Sequence, residues 1–213
     1  MKMDIMWVKT NRLIKWIFSG LVWEIPNRDN KIFLTFDDGP MPGITDFVLD
    51  ELKKNNVQAT FFCIGKNIEA HPDLFSRIIN EGHSVGNHTQ NHVKGWDVSL
   101  EKYLENAQEC HNQIENLSDK KPHLFRPPYG KIKFSQAKAL KKLDYKIIMW
   151  DVLSVDYDAN VSPEKCLDNV VKNTQRGSII VFHDSLKAAT NVKFALPKAI
   201  EILKSKGFIF DKI

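Results

Sequence analysis

Short apolar runs alternate with amphipathic stretches from Lys31 to the end of the chain. The runs that begin at Ile32, Ala59 and Gly177 are apolar or β-favouring without alternation, which is typical of strands buried on both faces. Between them, apolar residues recur at helical spacing, as they do from Ile44 to Leu52. About seven strands that alternate with helices predict a single α/β domain built on a parallel sheet or barrel.

Capping residues, prolines and glycines mark the predicted ends of several elements. Ser99 is predicted to cap a long helix, and Ser162 followed by Pro163 to start another. The run from Tyr145 to Trp150 is predicted as one strand, and Pro197 as the start of the last helix. The long helix after Ser99 is predicted to bury one stripe, made of Leu100, Leu104, Ala107, Ile114 and Leu117.

The first 30 residues are predicted to be an N-terminal apolar segment that packs on a catalytic domain formed by residues 31–213. The apolar run at 13–23 contains Lys15 and is shorter than the about 20 residues that a membrane-spanning helix needs. Basic residues precede it, but no small-residue cleavage site follows, so we expect a cytoplasmic protein. The alternative is a peripheral contact of residues 13–25 with a membrane surface.

Composition and charge narrow the possible partners. The chain has 213 residues, and its net charge of +4 is spread without a long basic block or interleaved aromatic residues. This distribution argues against a nucleic-acid-binding protein. The three cysteines are far apart, which excludes a disulfide framework and a paired zinc ribbon and favours small buried side chains. We expect a monomer.

Polar and charged residues follow the predicted strands at the points where those strands end. Asp37 and Asp38 follow the first strand, and Gly39 and Pro40 then allow the chain to turn. The later strand ends carry His88 to His92, Arg126 to Gly130, Asp151 to Tyr157, and His183 with Asp184. Because the carboxyl ends of parallel strands meet at one edge, we expect these groups to converge into a site.

Two histidines and one carboxylate in this group suggest a metal site. His88 and His92 are four residues apart, so one helical turn would place both imidazoles on one face. With Asp38 as the third ligand they make a hydrolytic zinc set that leaves a position open for water. The other histidines lack partners at ligand spacing and are interpreted as structural or exposed; they are His71, His83, His111 and His123.

Three further residues suggest acid–base chemistry at the same edge. Arg126 is a natural counter-ion for a carboxylate that must stay ionised, and the amide of Tyr129 could donate to an oxyanion. His183 follows an apolar run and could act as a general acid whose pKa is tuned by a carboxylate such as Asp156.

Five ordered motifs of this chain resemble those of the polysaccharide deacetylase family, the chitooligosaccharide deacetylase homology domain. The resemblance covers residues 30–212 and implies a distorted (β/α) barrel of seven parallel strands. The motifs are Thr35-Phe36-Asp37-Asp38-Gly39-Pro40, His88-Thr89-Gln90-Asn91-His92, Arg126-Pro127-Pro128-Tyr129, Asp156-Tyr157 and Ile180-Val181-Phe182-His183.

The resemblance also implies a role for each matching residue. Asp38, His88 and His92 would hold a divalent metal, usually zinc, with cobalt, nickel and manganese as alternatives. Asp37 would be the general base, oriented by Arg126. The roles implied for the remaining positions are general acid for His183, its carboxylate partner for Asp156, oxyanion donor for the Tyr129 amide, and substrate contact for Pro127, Tyr157, Ile180 and Phe182.

Together these observations predict a metal-dependent hydrolase that removes N-acetyl groups from an acetylated amino sugar or glycan. Leu153 and Tyr157 replace the Asp and Trp that usually stand in the fourth motif, and the fifth motif has Ile-x-Phe for Leu-x-Leu. These departures affect the identity of the substrate more than the reaction. Two alternatives stay open: a related hydrolase of a small linear or cyclic amide, and a non-catalytic glycan-binding module.

Overall fold

A curled parallel sheet lies at the centre of the protein. The computed structural model describes residues 7–118 and 121–213. In these ranges the strands are β1 (Lys31–Asp37), β2 (Thr60–Cys63), β3 (Ser84–Asn87), β4 (Leu124–Phe125), β5 (Lys146–Ile147), β6 (Val152–Leu153), β7 (Ile179–His183) and β8 (Ile209–Asp211). Their order is β5-β4-β3-β2-β1-β7-β6, every pairing is parallel, and β8 pairs with the start of β1. The predicted barrel-like sheet of about seven parallel strands is confirmed.

Helices connect the strands and cover the outer face of the sheet. They are α1 (Arg12–Ile17), α2 (Thr45–Lys54), α3 (Gly65–Ala70), α4 (Pro72–Asn80), α5 (Leu100–Ser118), α6 (Phe134–Lys142), α7 (Pro163–Asn173) and α8 (Ala189–Ser205), with short 3-10 turns at Gly95–Asp97 and Pro128–Gly130. Ser162 caps α7 as predicted, because its side chain accepts a hydrogen bond from the Lys165 amide. None of the helices in the described ranges combines the length and apolar character needed to cross a membrane.

The two faces of β1 have different neighbours, and this difference positions the site. Ile32, Leu34 and Phe36 belong to the large core between sheet and helices. Successive side chains on a strand point to opposite faces, so Thr35 and Asp37 point inward instead. The inner face is lined by a smaller apolar cluster of Phe33, Phe62, Ile148 and Ile179. Asp37 is therefore carried into the interior of the curled sheet at the end of a strand.

The N-terminal segment lies between the two ends of the strand path. Lys9 forms an antiparallel bridge with Val152, the first residue of β6. Val22 forms a parallel bridge with Ile148, which directly follows β5. The Leu153 amide donates to the Val8 carbonyl, at 2.8 Å. The described part of the predicted N-terminal segment thus closes the gap between β5 and β6, while residues 1–6 lie outside the described residues. The division of the chain at residue 30 stays a prediction.

Three sequence-based expectations about elements are wrong. The predicted strand from Tyr145 to Trp150 is shorter in the structure. β5 covers only Lys146–Ile147, and the carbonyls of Ile148 and Met149 accept hydrogen bonds from Arg126. Pro197 lies inside α8 and not at its start. Val192, Ala195 and Leu196 before it are buried in the core, so packing extends the helix back to Ala189.

The third correction concerns the buried stripe of α5. Leu117 is 39% exposed, and Leu100 and Leu104 are half-buried. The buried residues are Tyr103, Ala107, Cys110 and Ile114, whose spacing of 4, 3 and 4 keeps them on one face. The predicted stripe gave weight to leucines and left out Tyr103 and Cys110.

Candidate active site

Two adjacent carboxylates lie where β1 ends. Asp37 is the last residue of the strand, and Asp38 has a positive φ of 83° that turns the chain sharply. The Gly39 amide then donates to Asp184 Oδ1 at 2.9 Å. A Cβ on Gly39 would lie 1.9 Å from Asp184 Oδ2, so only glycine fits at this position. This turn brings both carboxylates to one site although they are neighbours in the chain.

Asp38, His88 and His92 converge. The Asp38 Oδ1 atom lies 3.6 Å from His88 Nε2 and 3.2 Å from His92 Nε2. One ligand atom from each residue lies within 4.8 Å of the others, and no other such group of three occurs in the described ranges. The structure therefore brings together the three residues that the sequence suggested as a metal set.

The two histidines converge through a loop, and the helical turn predicted for them is absent. Residues 88–92 follow β3 without helical structure, and Thr89 and His92 have positive φ angles of 65° and 53°. The Thr89 amide donates to Asn87 Oδ1, and the Val93 amide donates to Thr89 Oγ1. Side-chain hydrogen bonds thus fold this loop, which a spacing rule for helices does not describe.

The donor set fits a divalent cation with nitrogen and oxygen ligands. His88 Nδ1 lies 2.7 Å from the Arg126 carbonyl, which only accepts, so Nδ1 carries the hydrogen and Nε2 offers its lone pair to the site. Burial lowers the pKa of His88 to about 4, which keeps the ring neutral. Asp38 Oδ1 is buried and has no well-aligned hydrogen bond. Three protein ligands leave positions open for water or substrate.

Charged neighbours keep Asp38 ionised. Burial alone would raise its pKa, but the His92 ring, whose Nε2 atom lies 3.2 Å from Asp38 Oδ1, and the nearby His183 together hold the pKa of Asp38 well below its usual range. A cation at this position would act in the same direction.

Asp37 is paired with a buried arginine. Arg126 is fully buried, and its Nη1 atom lies 2.6 Å from Asp37 Oδ1 and 2.7 Å from Thr35 Oγ1. Burial lowers the pKa of Arg126, and the Asp37 carboxylate opposes that shift. Since Arg126 follows β4 and Asp37 ends β1, the pair spans the interior of the curled sheet. The predicted counter-ion contact is present.

His183 is held by a carboxylate from the neighbouring strand end. Its Nδ1 atom lies 2.7 Å from Asp156 Oδ1, and its amide donates to Asp156 Oδ2 at 2.6 Å. Burial would lower the pKa of His183, but the charge and hydrogen bond of Asp156 outweigh this effect and raise it to about 9. His183 is in register with Asp37 across β1 and β7, so the protonated ring lies beside the two carboxylates.

The residues expected to contact substrate divide into two groups. The Tyr129 ring packs 4.6 Å from the His92 ring and is 60% exposed, and the Tyr157 ring packs 4.8 Å from the His183 ring. Pro127 is buried between Arg126 and the turn that carries Tyr129. These three lie at the strand ends that bear the charged groups.

Ile180 and Phe182 do not face the site, which corrects their predicted substrate contact. Both are fully buried in the core between sheet and helices, because they alternate with His183 along β7. Val181, and Ile179 further from the strand end, share the face of His183. Val181 packs in a small apolar cluster with Leu153 and Val155, against which Tyr157 also lies. The alternation of a strand was the signal that could have identified Val181.

Residues without a predicted role fix the turn at Asp38. Asp184 accepts from the Gly39 amide and from Thr45 Oγ1 at 2.6 Å, and burial raises the pKa of Asp184 to about 7. The Asn67 side chain donates to the Asp38 carbonyl at 2.7 Å. The position of Asp184 directly after His183 was visible in the sequence, whereas nothing in the sequence marked Thr45 or Asn67.

Comparisons with known proteins agree with this geometry. The family model described as polysaccharide deacetylase matches residues 24–148. A peptidoglycan-N-acetylglucosamine deacetylase of Bacillus cereus is 38% identical over 191 residues, which are 89% of each chain. The peptidoglycan-N-acetylmuramic acid deacetylase PdaA of Bacillus subtilis is 31% identical over 189 residues, 87% of this chain and 71% of PdaA.

A solved structure shows the same fold. The crystal structure of the Bc1960 peptidoglycan N-acetylglucosamine deacetylase superposes with a TM-score of 0.89 at 34% identity, over 96% of this chain and 95% of that one. The predicted family and the predicted activity, hydrolysis of a carbon–nitrogen bond by a deacetylase, are confirmed. The chain belongs to the polysaccharide deacetylase family.

Proposed function

We propose that this protein removes the acetyl group from N-acetylglucosamine residues of peptidoglycan. In this proposal Asp38, His88 and His92 hold a divalent cation, and zinc is the first candidate. The observation that carries the proposal is the buried Asp38 Oδ1 atom, which faces the Nε2 atoms of both histidines and has no well-aligned hydrogen bond. A cation bound there would act as a Lewis acid on the acetyl carbonyl and would lower the pKa of a water molecule.

Asp37 is the general base in this proposal. It lies next to Asp38 at the end of β1, and Arg126 fixes one of its oxygens at 2.6 Å. The arginine keeps the carboxylate oriented while it takes a proton from the attacking water. A metal ligand and a base on consecutive residues need the sharp turn at Asp38.

His183 is the general acid. An amine is a poor leaving group, so the sugar nitrogen must receive a proton as the carbon–nitrogen bond breaks. With a pKa of about 9, His183 carries that proton at neutral pH, and Asp156 fixes the ring through Nδ1. The Nε2–H is therefore the group that faces the reaction. The Tyr129 amide is proposed as the donor to the developing oxyanion.

The relatives support an acetylated glycan as the substrate. An N-acetylglucosamine enzyme of Bacillus cereus matches this chain at 38% identity, whereas two N-acetylmuramic acid enzymes of Bacillus subtilis, PdaC and PdaA, match at 34% and 31%. We therefore place N-acetylglucosamine before N-acetylmuramic acid. The complete set of base, acid and metal ligands speaks against a non-catalytic glycan-binding module. The monomeric state stays a prediction. The cytoplasmic location also stays a prediction, and it does not fit a peptidoglycan substrate, which lies outside the cytoplasmic membrane.

The decisive test is acetate release from peptidoglycan by metal-stripped protein, with and without added zinc. Zinc should restore release, and mass spectrometry of the digested product should find glucosamine and not deacetylated muramic acid. Asp37→Asn should bind zinc and lose turnover by at least about a hundredfold, the effect expected for loss of a general base. Asp38→Ala should lose zinc as well as turnover.

The exposed Asp73 of α4 supplies the matched control. Asp73→Asn removes one exposed carboxylate that forms no hydrogen bond or ion pair with the described site residues, and it should leave both zinc binding and turnover unchanged. Near wild-type turnover by Asp37→Asn would contradict its role as the base. Deacetylated muramic acid as the product would overturn the choice of sugar while leaving the metal site in place.

A further inference from the structure

One face of α1 is apolar and exposed. Leu13, Trp16 and Ile17 are spaced i, i+3 and i+4, so they share that face, and they are 60%, 75% and 51% exposed. The opposite side of the segment is held by Lys15, which reaches the buried Asp151. The helix is therefore fixed to the domain in an orientation that turns a tryptophan and two aliphatic side chains outward.

Helix α6 extends this exposed face. The Phe134 ring stacks on Phe18, with ring centres 5.7 Å apart, and is itself 77% exposed. About two turns further along α6, the Lys141 ammonium lies 2.9 Å from the position that a Cβ added to Gly20 would occupy. Phe134, Lys138 and Lys141 follow helical spacing, so this face of α6 runs alongside residues 18–20.

Positive charge surrounds these apolar side chains. Residues 7–23 contain no acidic residue, and neither do residues 125–143. The exposed cations of the two helices are Arg12, Lys138, Lys141 and Lys142. None of the four forms an ion pair within the part of the chain that the structure describes, whereas Asp144, just beyond them, contacts His123 at 3.1 Å. We call the surface made by the exposed residues of α1 and α6 the α1–α6 patch.

We propose that the α1–α6 patch docks the protein on the surface of a lipid bilayer that contains anionic headgroups. Exposed tryptophan and phenylalanine side chains enter the headgroup region, and lysines around them attract anionic lipids. Lysine stems also cover apolar surface while their ammonium groups reach phosphates. No membrane-spanning element is required, because the segment lies on the domain.

Charge complementarity selects this occupant over the alternatives. A second copy of this chain would bring the same cations against each other, which opposes pairing through this patch. A soluble polyanion would use the lysines but gives no reason for the exposed Trp16, Ile17 and Phe134. The loop that leaves the candidate active site at Arg126 enters α6 at Phe134, so docking here would hold the cleft near the bilayer surface.

The test is sedimentation of the full-length protein with vesicles. Vesicles of phosphatidylcholine with 30% phosphatidylglycerol, roughly the anionic fraction that produces a negative surface potential, should bind at least about tenfold more protein than pure phosphatidylcholine. Lys141→Gln with Lys142→Gln should weaken binding by about tenfold or more. Trp16→Ala should weaken it by a similar factor, since the tryptophan leaves the interface.

Matched controls lie on other helices. Lys53 and Lys54 are also adjacent lysines in the last turn of a helix, α2, so Lys53→Gln with Lys54→Gln removes the same charge elsewhere. Leu117→Ala removes an exposed apolar side chain from α5. Both controls should bind vesicles like the wild type, and every variant should keep its activity on a soluble acetylated chitooligosaccharide.

Four results would overturn the proposal. One is no preference for anionic vesicles, and another is equal weakening by the Lys53 and Lys54 control, which would indicate non-specific attraction. The third is binding that needs Lys141 and Lys142 but not Trp16, which would show electrostatic attraction without entry of the apolar side chains into the bilayer surface. Sedimentation velocity should show one species in wild type and Trp16→Ala; a dimer that only the wild type forms would assign the patch to contact between copies.

Discussion

Arg126 shows how a single side chain organises the candidate site. It is fully buried, and its guanidinium donates to Asp37, to the Thr35 hydroxyl and to the carbonyls of Ile148 and Met149. The Cζ atom of the guanidinium also lies 4.1 Å from the centre of the Phe62 ring. Only a planar fork reaches all of these acceptors, so lysine could not replace it. Loss of this arginine would leave Asp37 as a buried charge without its counter-ion.

Replacement of Asp156 tests the general acid through pH dependence. A raised pKa keeps His183 protonated up to about pH 9, so the activity that needs this proton falls as pH rises through that value. Asp156→Asn removes the charge that raises the pKa, and nearby opposite charges shift a pKa by about 1–3 units. We expect the alkaline limb of the pH–rate profile to move down by at least about one pH unit.

Asp158 is the control for this experiment, because it lies two residues further on and bonds Asn160 instead of His183. Asp158→Asn should keep the alkaline limb of the wild type. An Asp156→Asn profile that coincides with the wild-type profile would show that the limb reports another group, and His183 would then lose its support as the acid.

Elements were predicted well where apolar periodicity decides their structure, and poorly where tertiary hydrogen bonds do. β1, α2 and α7 follow from runs, spacing and caps. By contrast, the loop that carries His88 and His92 depends on positive φ angles and on the Asn87 side chain, which no spacing rule contains.

Strand β5 is a second element whose structure depends on tertiary hydrogen bonds, because it ends earlier than its sequence predicts. Its sequence continues as an apolar run to Trp150, but Arg126 captures the carbonyls of Ile148 and Met149. Val22, which belongs to the N-terminal segment, pairs with Ile148 in this stretch. Hydrogen bonds from a residue 22 and 23 positions away thus end the strand, and local propensity carries no information about them.

The attachment of the N-terminal segment is tested by removing one of its lysines. Asp151 is fully buried and is bound by Lys9, Lys15 and the Ser178 hydroxyl. Lys15→Ala leaves this carboxylate with one ammonium partner. Breaking a buried ion pair costs about 3–5 kcal/mol, and because Lys9 remains we expect a loss of about 2 kcal/mol in the free energy of unfolding, measured by urea denaturation.

Lys172 provides the comparison, since it pairs with Asp168 at 2.6 Å on the exposed face of α7. Lys172→Ala should change the free energy of unfolding by less than about 0.5 kcal/mol, as for other exposed pairs. Equal losses in the two variants would indicate that the segment adds no specific stability to the domain.

At the scale of the whole molecule, the order of the parallel strands explains why distant motifs form one site. β1, β3, β4, β6 and β7 end at the same edge, and the residues that follow them supply the carboxylates, the histidines and the arginine. That convergence could be predicted, because it needs only parallel strands. The closure between β5 and β6 could not, because residues 8–25 pair through single bridges that leave no periodic pattern.

The metal should be coupled to the stability of the whole domain, although the core does not depend on it. Asp38, His88 and His92 follow two strands, β1 and β3, and come together only in the folded state, so a cation that binds all three stabilises that state. Zinc at about a thousand times its dissociation constant contributes about 4 kcal/mol, which for a chain of this size raises Tm by about 8–16 °C. Zinc binding to the unfolded chain through Cys63, Cys110 and Cys166 would reduce the shift.

Scanning calorimetry of metal-stripped protein with added zinc measures this coupling. Asp38→Ala should remove most of the rise in Tm, whereas Asp73→Ala, on the exposed side of α4, should keep it. The far-ultraviolet circular dichroism of the stripped protein should match that of the zinc form, because the large apolar core between sheet and helices is independent of the ligands. If Asp38→Ala showed the full rise in Tm on addition of zinc, the zinc would have to bind at a different place in the protein. Loss of secondary structure when the metal is removed would indicate that the protein needs the cation for folding as well as for the reaction.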